Sequence, residues 1–313
     1  ALMPYLKDLP NIRWKGEVYV ESWLRPKPLP EDLVLLTPDN FLVFIETNGC
    51  KEYANKVRDF VINKIFPYKP LMIGCDHSIS GGIIEALSKR LGAENITVII
   101  IDNHFDAILP SIRNGLIGWA REFMRSHFTP KINPFDYSYF ASGVPDTYNS
   151  GSFIYYLVED QVIMPDNLIV IGASDYPDER LLREKDVRVR RFLECYFRFE
   201  RKGVKIVRVK RKDESIESAL ATIKTPYVYV SLDIDIGSLN ALYGCRTRDV
   251  KGLSENEICE ISRLINEILS SGKTLLVGFD ITEIDVYEAG KTINGIKDRT
   301  YEVANRFIRY LLK

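Results

Sequence analysis

Short apolar runs recur along the chain and are separated by segments of mixed polarity. Several runs are apolar at consecutive positions, which is the pattern expected of strands that are covered on both faces of a sheet. The predicted strands are FLVFI from Phe41, PLMIG from Pro70, VIII from Val98, LIVIG from Leu168, KIVRV from Lys205, YVYVS from Tyr227 and LLVGF from Leu275. Strands of this kind indicate a sheet that is buried on both sides.

Helical patterns separate many of these runs. Residues 255–271, ENEICEISRLINEILSS, follow a capping-box pattern formed by Ser254 and Glu257. Their apolar positions, Ile258, Ile261, Leu264, Ile265 and Ile268, share one helical face. The C-terminal segment VANRFIRYLL repeats that periodicity. The alternation of strands with helices predicts an α/β fold, with a mostly parallel sheet and helices on both of its sides.

No linker or internal repeat divides the chain, so residues 1–313 are expected to form a single domain. The proline-rich stretch RPKPLPEDL, from Arg25, is interpreted as a surface connection. An aromatic-rich insertion is expected at about 107–148, with a helical part from Trp119 to Phe128. This insertion would cover an active site, dock a neighbouring subunit or pack on the surface of its own chain. Packing is favoured, because aromatic stripes usually belong to a core. His127 is interpreted as structural, although in a lid it would become a candidate proton shuttle.

Charge and composition exclude several classes of partner. The chain has 42 basic and 43 acidic side chains, so it has no basic field for nucleic acid, and a small-molecule partner is favoured. The run VRVRR, residues 187–191, is interpreted as a solvated face. No apolar stretch of about eighteen residues is present, and the first residues lack the pattern of a signal peptide, so no membrane and a cytoplasmic location are expected. The five cysteines are scattered without metal-site spacing and are expected to be reduced.

Acidic and histidine residues follow four of the predicted strands, at the strand ends where α/β sheets bind ligands. The residues are Asp76, His77 and Ser78 after PLMIG; Asp102, His104 and Asp106 after VIII; Asp233 and Asp235 after YVYVS; and Asp280 and Glu283 after LLVGF. In an extended chain, side chains two positions apart point the same way. The alternate spacing therefore predicts that Asp102, His104 and Asp106 converge, as do Asp233 and Asp235.

Such a cluster needs a positive partner, because converging carboxylates repel one another and lose hydration. Carboxylate oxygen with neutral imidazole nitrogen suits Mn²⁺, and six ligands exceed what one tetrahedral ion needs. We therefore predict two Mn²⁺ ions, which can hold and acidify a bridging water. The predicted ligands are His77, Asp102, His104, Asp106, Asp233 and Asp235. The alternative, solvated turn or N-cap residues, is disfavoured because the second acidic pair and His77 share the same structural context.

Four motifs resemble, in order and spacing, the signatures of the ureohydrolase superfamily, which includes arginase, agmatinase and formimidoylglutamase. The motifs are GCDHS at 74–78, DNHFD at 102–106, SLDID at 231–235 and DITEID at 280–285. The resemblance extends over residues 40–313. It implies an arginase-like fold of three layers, α-β-α, two manganese ions, and hydrolysis of a C–N bond in a linear guanidino or formimino compound.

The resemblance also implies roles for individual residues. His77, Asp102, Asp106 and Asp233 would bind one ion, and His104, Asp102, Asp233 and Asp235 the other. Glu283 would bind the cationic head of the substrate, and Asp106 would carry a proton from the nucleophile to the leaving amine. Relatives with this pattern are often homo-oligomers.

Several positions depart from the family pattern. Cys75 stands where a second glycine is usual, and Ser238 with Leu239 replaces an aspartate and a proline. Ser150 stands where arginases and agmatinases have a shuttle histidine. The sequence from Asn149 to Ser152 resembles the formimidoylglutamase branch, and Asn149 and Ser150 are candidates for substrate binding. Asp175 and Asp178 lie where residues that contact the far end of the substrate occur in the family.

Two alternatives to a manganese hydrolase remain at this level. The changes at Ser150 and Ser238 also suit a non-catalytic, metal-binding relative with a regulatory or scaffolding role. A deacetylase with one zinc ion on a related fold is disfavoured, because that chemistry usually needs a histidine pair beside the metal and the chain has only three histidines.

Overall fold

A parallel sheet forms the centre of the protein. The computed structural model describes residues 2–6, 9, 12–25, 28–127, 145–208, 215–248, 251–293 and 295–313. Within these residues the sheet strands are β1 (Leu71–Ile73), β2 (Ile96–Asp102), β3 (Leu168–Gly172), β4 (Lys205–Arg208), β5 (Tyr227–Asp233) and β6 (Leu275–Thr282). Their spatial order is β1-β6-β5-β2-β3-β4, and every adjacent pair is parallel. The mostly parallel sheet predicted from the sequence is confirmed.

Helices connect the strands, and a small antiparallel pair, β7 (Thr292–Ile293) and β8 (Ile296–Lys297), lies near the C-terminus. The α-helices within the described ranges are α1 (Met3–Leu6), α2 (Pro38–Glu46), α3 (Gly49–Phe60), α4 (Ser80–Leu91), α5 (Pro110–His127), α6 (Phe153–Glu159), α7 (Glu179–Arg183), α8 (Val187–Arg201), α9 (Ile216–Leu220), α10 (Glu255–Ser270) and α11 (Thr300–Leu311). None of these helices is both long and apolar enough to cross a membrane.

The sheet is covered on both faces, as the runs of consecutive apolar residues predicted. Every residue of β2 is buried. Ile99 and Ile101 pack on one side with α10 and α11, whereas Val98 and Ile100 pack on the other with α3, α4, α6 and α8. Burial of apolar area on both faces is the main favourable term for such a layered fold. The three-layer α-β-α architecture is confirmed.

The predicted strand FLVFI is wrong, because these residues lie in helix α2. Thr37 caps the helix by accepting a hydrogen bond from the Asn40 amide at 3.2 Å, and Pro38 occupies the first helical position. These start signals outweigh the local apolar run. The run is only partly buried and forms no part of the sheet.

The predicted C-terminal helices are confirmed as α10 and α11. The capping box in front of α10 is present: the Ser254 amide donates to Glu257 Oε2 at 2.7 Å, and the Glu257 amide donates to Ser254 Oγ at 3.4 Å. Reciprocal bonds of this kind satisfy two amides at the helix start that have no intrahelical acceptor.

The predicted insertion at 107–148 contains helix α5, which packs on α8. Arg188 of α8 donates to the two carboxylate oxygens of Glu122 at 2.8 and 2.6 Å, and it also pairs with Asp186. Arg188 is therefore half-buried in this contact, whereas the neighbouring Arg190 and Arg191 are exposed as predicted for a solvated face. Residues 128–144 of the insertion and the side chain of His127 lie outside the described residues.

Candidate metal centre

The four motifs follow four neighbouring strands. GCDHS follows β1, DITEID begins in β6, SLDID ends β5 and DNHFD follows β2, and these strands are adjacent in the sheet in that order. The carboxyl ends of parallel strands meet at one edge of a sheet, so the topology brings together motifs that are more than 200 residues apart in the chain. This edge is where the unusual acidic residues collect.

A recurring turn shapes three of the four motifs. Asp102 Oδ1 accepts the His104 amide at 2.6 Å, and Asp233 Oδ1 accepts the Asp235 amide at 2.8 Å. Asp76 bonds the Ser78 amide in the same way. Such turns between an aspartate and the second residue after it end the extended conformation. The prediction that continuous alternation along an extended strand makes the side chains converge is therefore wrong, because the backbone bends after Asp76, Asp102 and Asp233.

His77 lies at the centre of the cluster and is fully buried. Its Nδ1 atom is 2.8 Å from Asp102 Oδ2, 3.1 Å from Asp106 Oδ2 and 3.3 Å from Asp233 Oδ2. One imidazole nitrogen thus faces carboxylates from two motifs. The arrangement brings together the four residues predicted to bind the first ion.

His104 occupies the neighbouring position. Its Nδ1 atom lies 2.8 Å from Asp235 Oδ2 and 3.5 Å from Asp102 Oδ1, and its side chain is slightly exposed. Ligand atoms of Asp102, His104 and Asp235 lie within 4.8 Å of one another, as do those of His77, Asp102 and Asp233. Asp102 belongs to both groups, as expected of a bridging carboxylate.

Burial and mutual repulsion shift the pKa values of the cluster. Burial and the charges of Asp106 and Asp235 raise the pKa of Asp102 to about 7. Burial and the charge of Asp235 also raise the pKa of Asp233 well above its usual range. Burial alone would lower the pKa of His77, but its bonds to Asp102 and Asp106 hold that pKa well above the ordinary value.

The donor set fits a divalent metal. In the part of the chain that is described, no Lys or Arg side chain forms an ion pair with Asp102, Asp106, Asp233 or Asp235; histidine provides their basic partners. Four buried carboxylates with two imidazoles offer oxygen and nitrogen donors without thiolates, which suits hard to borderline divalent ions. A bound metal would supply the positive charge needed to compensate these four carboxylates.

A buried chain of hydrogen bonds contacts the Nε2 atom of His77, on the side of the ring opposite the carboxylates. Its Nε2 atom lies 3.0 Å from Ser231 Oγ, and the Ser231 hydroxyl donates to Asp280 Oδ1 at 2.8 Å. Tyr229 also donates to Asp280. Neither Ser231 nor Asp280 is among the ligands predicted from sequence, although their positions inside two of the motifs are a signal for a role at the site.

Glu283 and Asp106, the predicted catalytic residues, border the cluster and are largely buried. Carboxylate atoms of Glu283, Asp233 and Asp235 lie within 4.8 Å of one another. Burial and the charges of Asp76 and Asp235 raise the pKa of Glu283 to about 8. Both residues have left-handed backbones, with φ of 53° at Asp106 and 62° at Glu283. Non-glycine residues held in this region occur often at active sites.

The predicted substrate-binding residues Asn149 and Ser150 lie in a turn beside Asp106. Asn149 Oδ1 accepts the Gly151 amide at 3.0 Å, and Asn149 Nδ2 donates to the Thr147 carbonyl at 3.2 Å. The carboxamide of Asn149 thus holds the turn itself. The turn adjoins the DNHFD motif, because the Ile154 amide donates to the Asp106 carbonyl at 3.1 Å.

The other departures from the family pattern are accommodated locally. Ser238 is buried, and its hydroxyl donates to the Thr247 carbonyl at 3.3 Å, whereas Leu239 is exposed with φ of 53°. Cys75 is half-buried, and burial and the charge of Asp76 raise the pKa of its thiol to about 11. The thiol of Cys75 is therefore protonated near neutral pH, as expected of a packed residue.

Asp175 and Asp178 take different positions. Asp175 Oδ2 accepts a hydrogen bond from the Phe105 amide at 3.3 Å, which holds the backbone of the DNHFD motif. Asp178 instead caps α7 by accepting the amides of Arg180 and Leu181. Only Asp175 therefore contacts a metal-site motif.

Comparison with known proteins gives a family and a set of folds. A search of curated protein sequences gives no match. The model of the Arginase family matches residues 30–313. Arginase from Bacillus subtilis is 19% identical with a TM-score of 0.57, over 99% of this chain and 88% of that chain. Formimidoylglutamase from Bacillus subtilis subsp. subtilis str. 168 is 17% identical with a TM-score of 0.54, over 85% and 66%. Proclavaminate amidino hydrolase from Streptomyces clavuligerus is 18% identical with a TM-score of 0.53, over 82% and 68%.

Proposed function

The chain belongs to the arginase family, and we propose that it is a hydrolase that uses two Mn²⁺ ions to cleave a C–N bond in a linear guanidino or formimino compound. The observation that carries the proposal is the buried convergence of four aspartates and two histidines at one sheet edge, where no Lys or Arg among the described residues forms an ion pair with the aspartates. The folds of an arginase, a formimidoylglutamase and an amidino hydrolase support the same class of reaction.

The proposed ligands divide into two sets that share Asp102 and Asp233. One set adds His77 and Asp106, and the other adds His104 and Asp235. When bound, the ions would neutralise these carboxylates and lower the pKa of a water between them enough for nucleophilic attack near neutral pH. Oxygen and imidazole donors without a thiolate favour Mn²⁺ over a structural zinc ion.

Glu283 is proposed to bind the cationic head of the substrate. Its carboxyl group is largely buried and close to Asp233 and Asp235, so in the absence of a cation it is held partly protonated near neutral pH. A planar guanidinium or amidinium would restore the carboxylate and form two directional hydrogen bonds with it. Binding to Glu283 would then also place the head group of the substrate beside the ions.

Asp106 is proposed to carry the proton. Its Oδ2 atom lies 3.1 Å from His77 Nδ1 in the ligand cluster, and its side chain keeps 9% exposure, whereas the side chain of His77 has none. A carboxylate there can accept a proton from the nucleophile and donate it to the leaving amine nitrogen. The mechanism needs no serine or cysteine nucleophile. Asn149 and Ser150 are proposed to line the path of the substrate, and the protein is proposed to act as a homo-oligomer.

The test is product release by Mn²⁺-loaded protein from arginine, agmatine, guanidinobutyrate, guanidinopropionate and formimidoylglutamate. Metal stoichiometry is determined on the same sample. We expect release of urea or formamide from at least one compound with two ions bound. Asp102→Ala should abolish release and weaken binding of both ions, because Asp102 belongs to both ligand sets. Glu283→Gln should keep both ions and lose turnover by at least about a hundredfold, since it removes a charge-assisted pair.

Binding of two ions without turnover on the whole panel would contradict the proposed hydrolase. It would favour the alternative of a regulatory or scaffolding relative that retains the metals, for which the changes at Ser150 and Ser238 are the motivation. Failure to bind two divalent ions would contradict both.

A further inference from the structure

Arg113 lies beside the turn that borders the proposed catalytic residues. It is in the first turn of α5, and its amide donates to the Leu109 carbonyl at 3.0 Å. A Cβ atom added to Gly151 would lie 2.9 Å from a terminal guanidinium nitrogen of Arg113 and 3.1 Å from its Cζ. The guanidinium group therefore rests against Gly151, next to Ser150.

The guanidinium of Arg113 is half-buried and, among the described residues, forms no hydrogen bond or ion pair. Asp146 reaches the same helical turn, but Ser111 occupies both of its carboxylate oxygens, through its amide and its hydroxyl, at 2.8 Å each. A half-buried cation without a hydrogen bond or a close ion pair has lost hydration that no direct contact replaces. Such a group is a ready binding site for an anion.

The turn beside Arg113 is attached to the DNHFD motif of the metal cluster. The Ile108 amide donates to the Gly151 carbonyl at 2.9 Å, so the turn under the guanidinium is tied to the second motif. Ile108 is two residues from Asp106, a span of at most about 7 Å. Arg113 is also close enough to Asp175 for its charge to act on that carboxyl group.

From this placement we infer that Arg113 binds a carboxylate at the far end of the substrate. The protein would therefore act on a compound with a cationic guanidino or formimino head and an anionic tail. The inference rests on the proposed function and narrows it: Glu283 binds the head and Arg113 the tail. A substrate with a cationic tail would meet the like charge of Arg113 and be excluded.

The rival role for Arg113 is a counter-charge to Asp175. Asp175 Oδ1 is buried and has no hydrogen-bond partner among the described residues, and Arg113 lowers the pKa of Asp175. The larger effect of burial nevertheless raises that pKa to about 6, and the two side chains form no ion pair within 4.0 Å in the described structure. Because a counter-charge would support the site whatever the substrate tail, the two roles predict different selectivity.

The experiment measures binding of guanidinobutyrate, agmatine and formimidoylglutamate to the Mn²⁺-loaded protein by calorimetry, alongside kcat and KM. Guanidinobutyrate and agmatine share a guanidino head and differ in tail charge. We compare wild type with Arg113→Gln, with Arg113→Lys, and with Arg191→Gln as a matched control on the exposed face of α8. Arg113→Lys keeps the charge but loses the two-pronged geometry of the guanidinium.

We expect wild type to bind the two compounds with anionic tails, guanidinobutyrate and formimidoylglutamate, at least about tenfold more tightly than agmatine. Arg113→Gln should weaken binding of the two compounds with anionic tails by about 10- to 100-fold in Kd and KM with little change in kcat, and Arg113→Lys should recover part of the loss. Agmatine should bind Arg113→Gln more tightly than wild type, because the repulsion between two positive charges is removed. Arg191→Gln should match wild type.

Two results would overturn the inference, and they differ in what they say of the proposed function. Equal weakening of guanidinobutyrate and agmatine by Arg113→Gln, or tighter binding of agmatine by wild type, removes the tail site but leaves the hydrolase intact. Absence of binding and turnover for these three compounds and for the rest of the five-compound panel in the loaded wild type would remove the proposed function and the tail site together.

Discussion

The Nε2 atom of His77 lies 3.0 Å from the hydroxyl oxygen of Ser231, on the side of the ring opposite the carboxylate cluster. The Ser231 hydroxyl donates its proton to Asp280, so its oxygen is left to accept from the imidazole. A neutral His77 must then carry its proton on Nε2 and present the lone pair of Nδ1 to the cluster. Residues behind metal ligands commonly fix ligand orientation and tautomer in this way.

We therefore predict that Ser231→Ala lowers metal affinity. The variant removes the acceptor for His77 Nε2 and leaves the ring free to choose the other tautomer, in which Nδ1 is protonated and cannot bind an ion. The expected loss is about 10- to 100-fold in the Kd for Mn²⁺, measured by metal titration.

Ser262→Ala is the matched control for this variant. Ser262 is also fully buried, and its hydroxyl donates to the Phe307 carbonyl at 2.7 Å, away from the cluster. The control should lose stability but keep its metal affinity. Equal Mn²⁺ affinity in Ser231→Ala and wild type would show that the hydroxyl does not orient His77.

The metal-free protein should lose stability as pH rises, and added metal should oppose that loss. In the metal-free protein the pKa values of Asp102 and Glu283 are raised to about 7 and about 8, so between pH ~4 and ~8 the folded state holds more protons than the unfolded state. Stability must then fall as pH rises through this window. The raised pKa of His77 acts in the same direction, because its contribution is lost as pH rises through the folded value.

Urea unfolding in chelator and in saturating Mn²⁺ measures this effect. From pH ~5.5 to ~8, we expect the free energy of unfolding of the metal-free protein to fall by about 2–5 kcal/mol, and the stabilisation by Mn²⁺ to grow over the same range. A flat profile in chelator would mean that the carboxylates are ionised without a metal and that another group compensates them.

Much of the site was predictable from sequence because its chemistry is concentrated in short motifs at strand ends. Consecutive apolar residues, as in VIII before Asp102, indicate a strand buried on both faces, and parallel strands place their carboxyl ends together. The local pattern thus predicted the strands, and the parallel topology predicted that Asp102 and Asp233 lie at the same sheet edge although 130 residues lie between them.

Other features depend on tertiary structure that no local pattern carries. FLVFI has a strand-like composition, but the Thr37 cap and Pro38 start a helix there. Arg113 lies in no motif, and its position against Gly151 follows from how α5 packs on the Asn149 turn. Convergence of the acidic residues was predicted for the wrong reason, because turns made by the aspartates themselves, rather than strand alternation, direct the side chains.

Asp298 is predicted to stabilise the C-terminal region through its carboxylate. It is almost fully buried and accepts bonds from the amides of Tyr243, Gly244, Gly290 and Thr300 at 2.7–3.1 Å. Burial alone would raise its pKa, but these bonds hold that pKa below the usual range. Asp298→Asn should cost about 2–3 kcal/mol at neutral pH, because an amide cannot accept all of these bonds.

The difference between Asp298→Asn and wild type should shrink in acid. A carboxyl group with a lowered pKa contributes stability above its unfolded value, about 3.8, and loses it as pH falls through the folded value. Urea unfolding at pH ~7 and at pH ~3 compares the two regimes. A difference that persists unchanged in acid would assign the loss to packing instead of charge.

Asp102→Asn should stabilise the metal-free protein while it destroys the metal site. Asp102 is fully buried beside Asp106 and Asp235, so an uncharged side chain of the same shape relieves repulsion that a metal would otherwise neutralise. At pH ~8 we expect the free energy of unfolding in chelator to rise by about 2 kcal/mol, and the stabilisation by Mn²⁺ to disappear. Thermal unfolding with and without Mn²⁺ measures both.

A purely structural Asp102, which accepts the His104 amide and contacts His77, would give the opposite sign: the variant would be less stable in chelator. The sign of this single change therefore separates a carboxylate kept for metal binding from one kept for the fold.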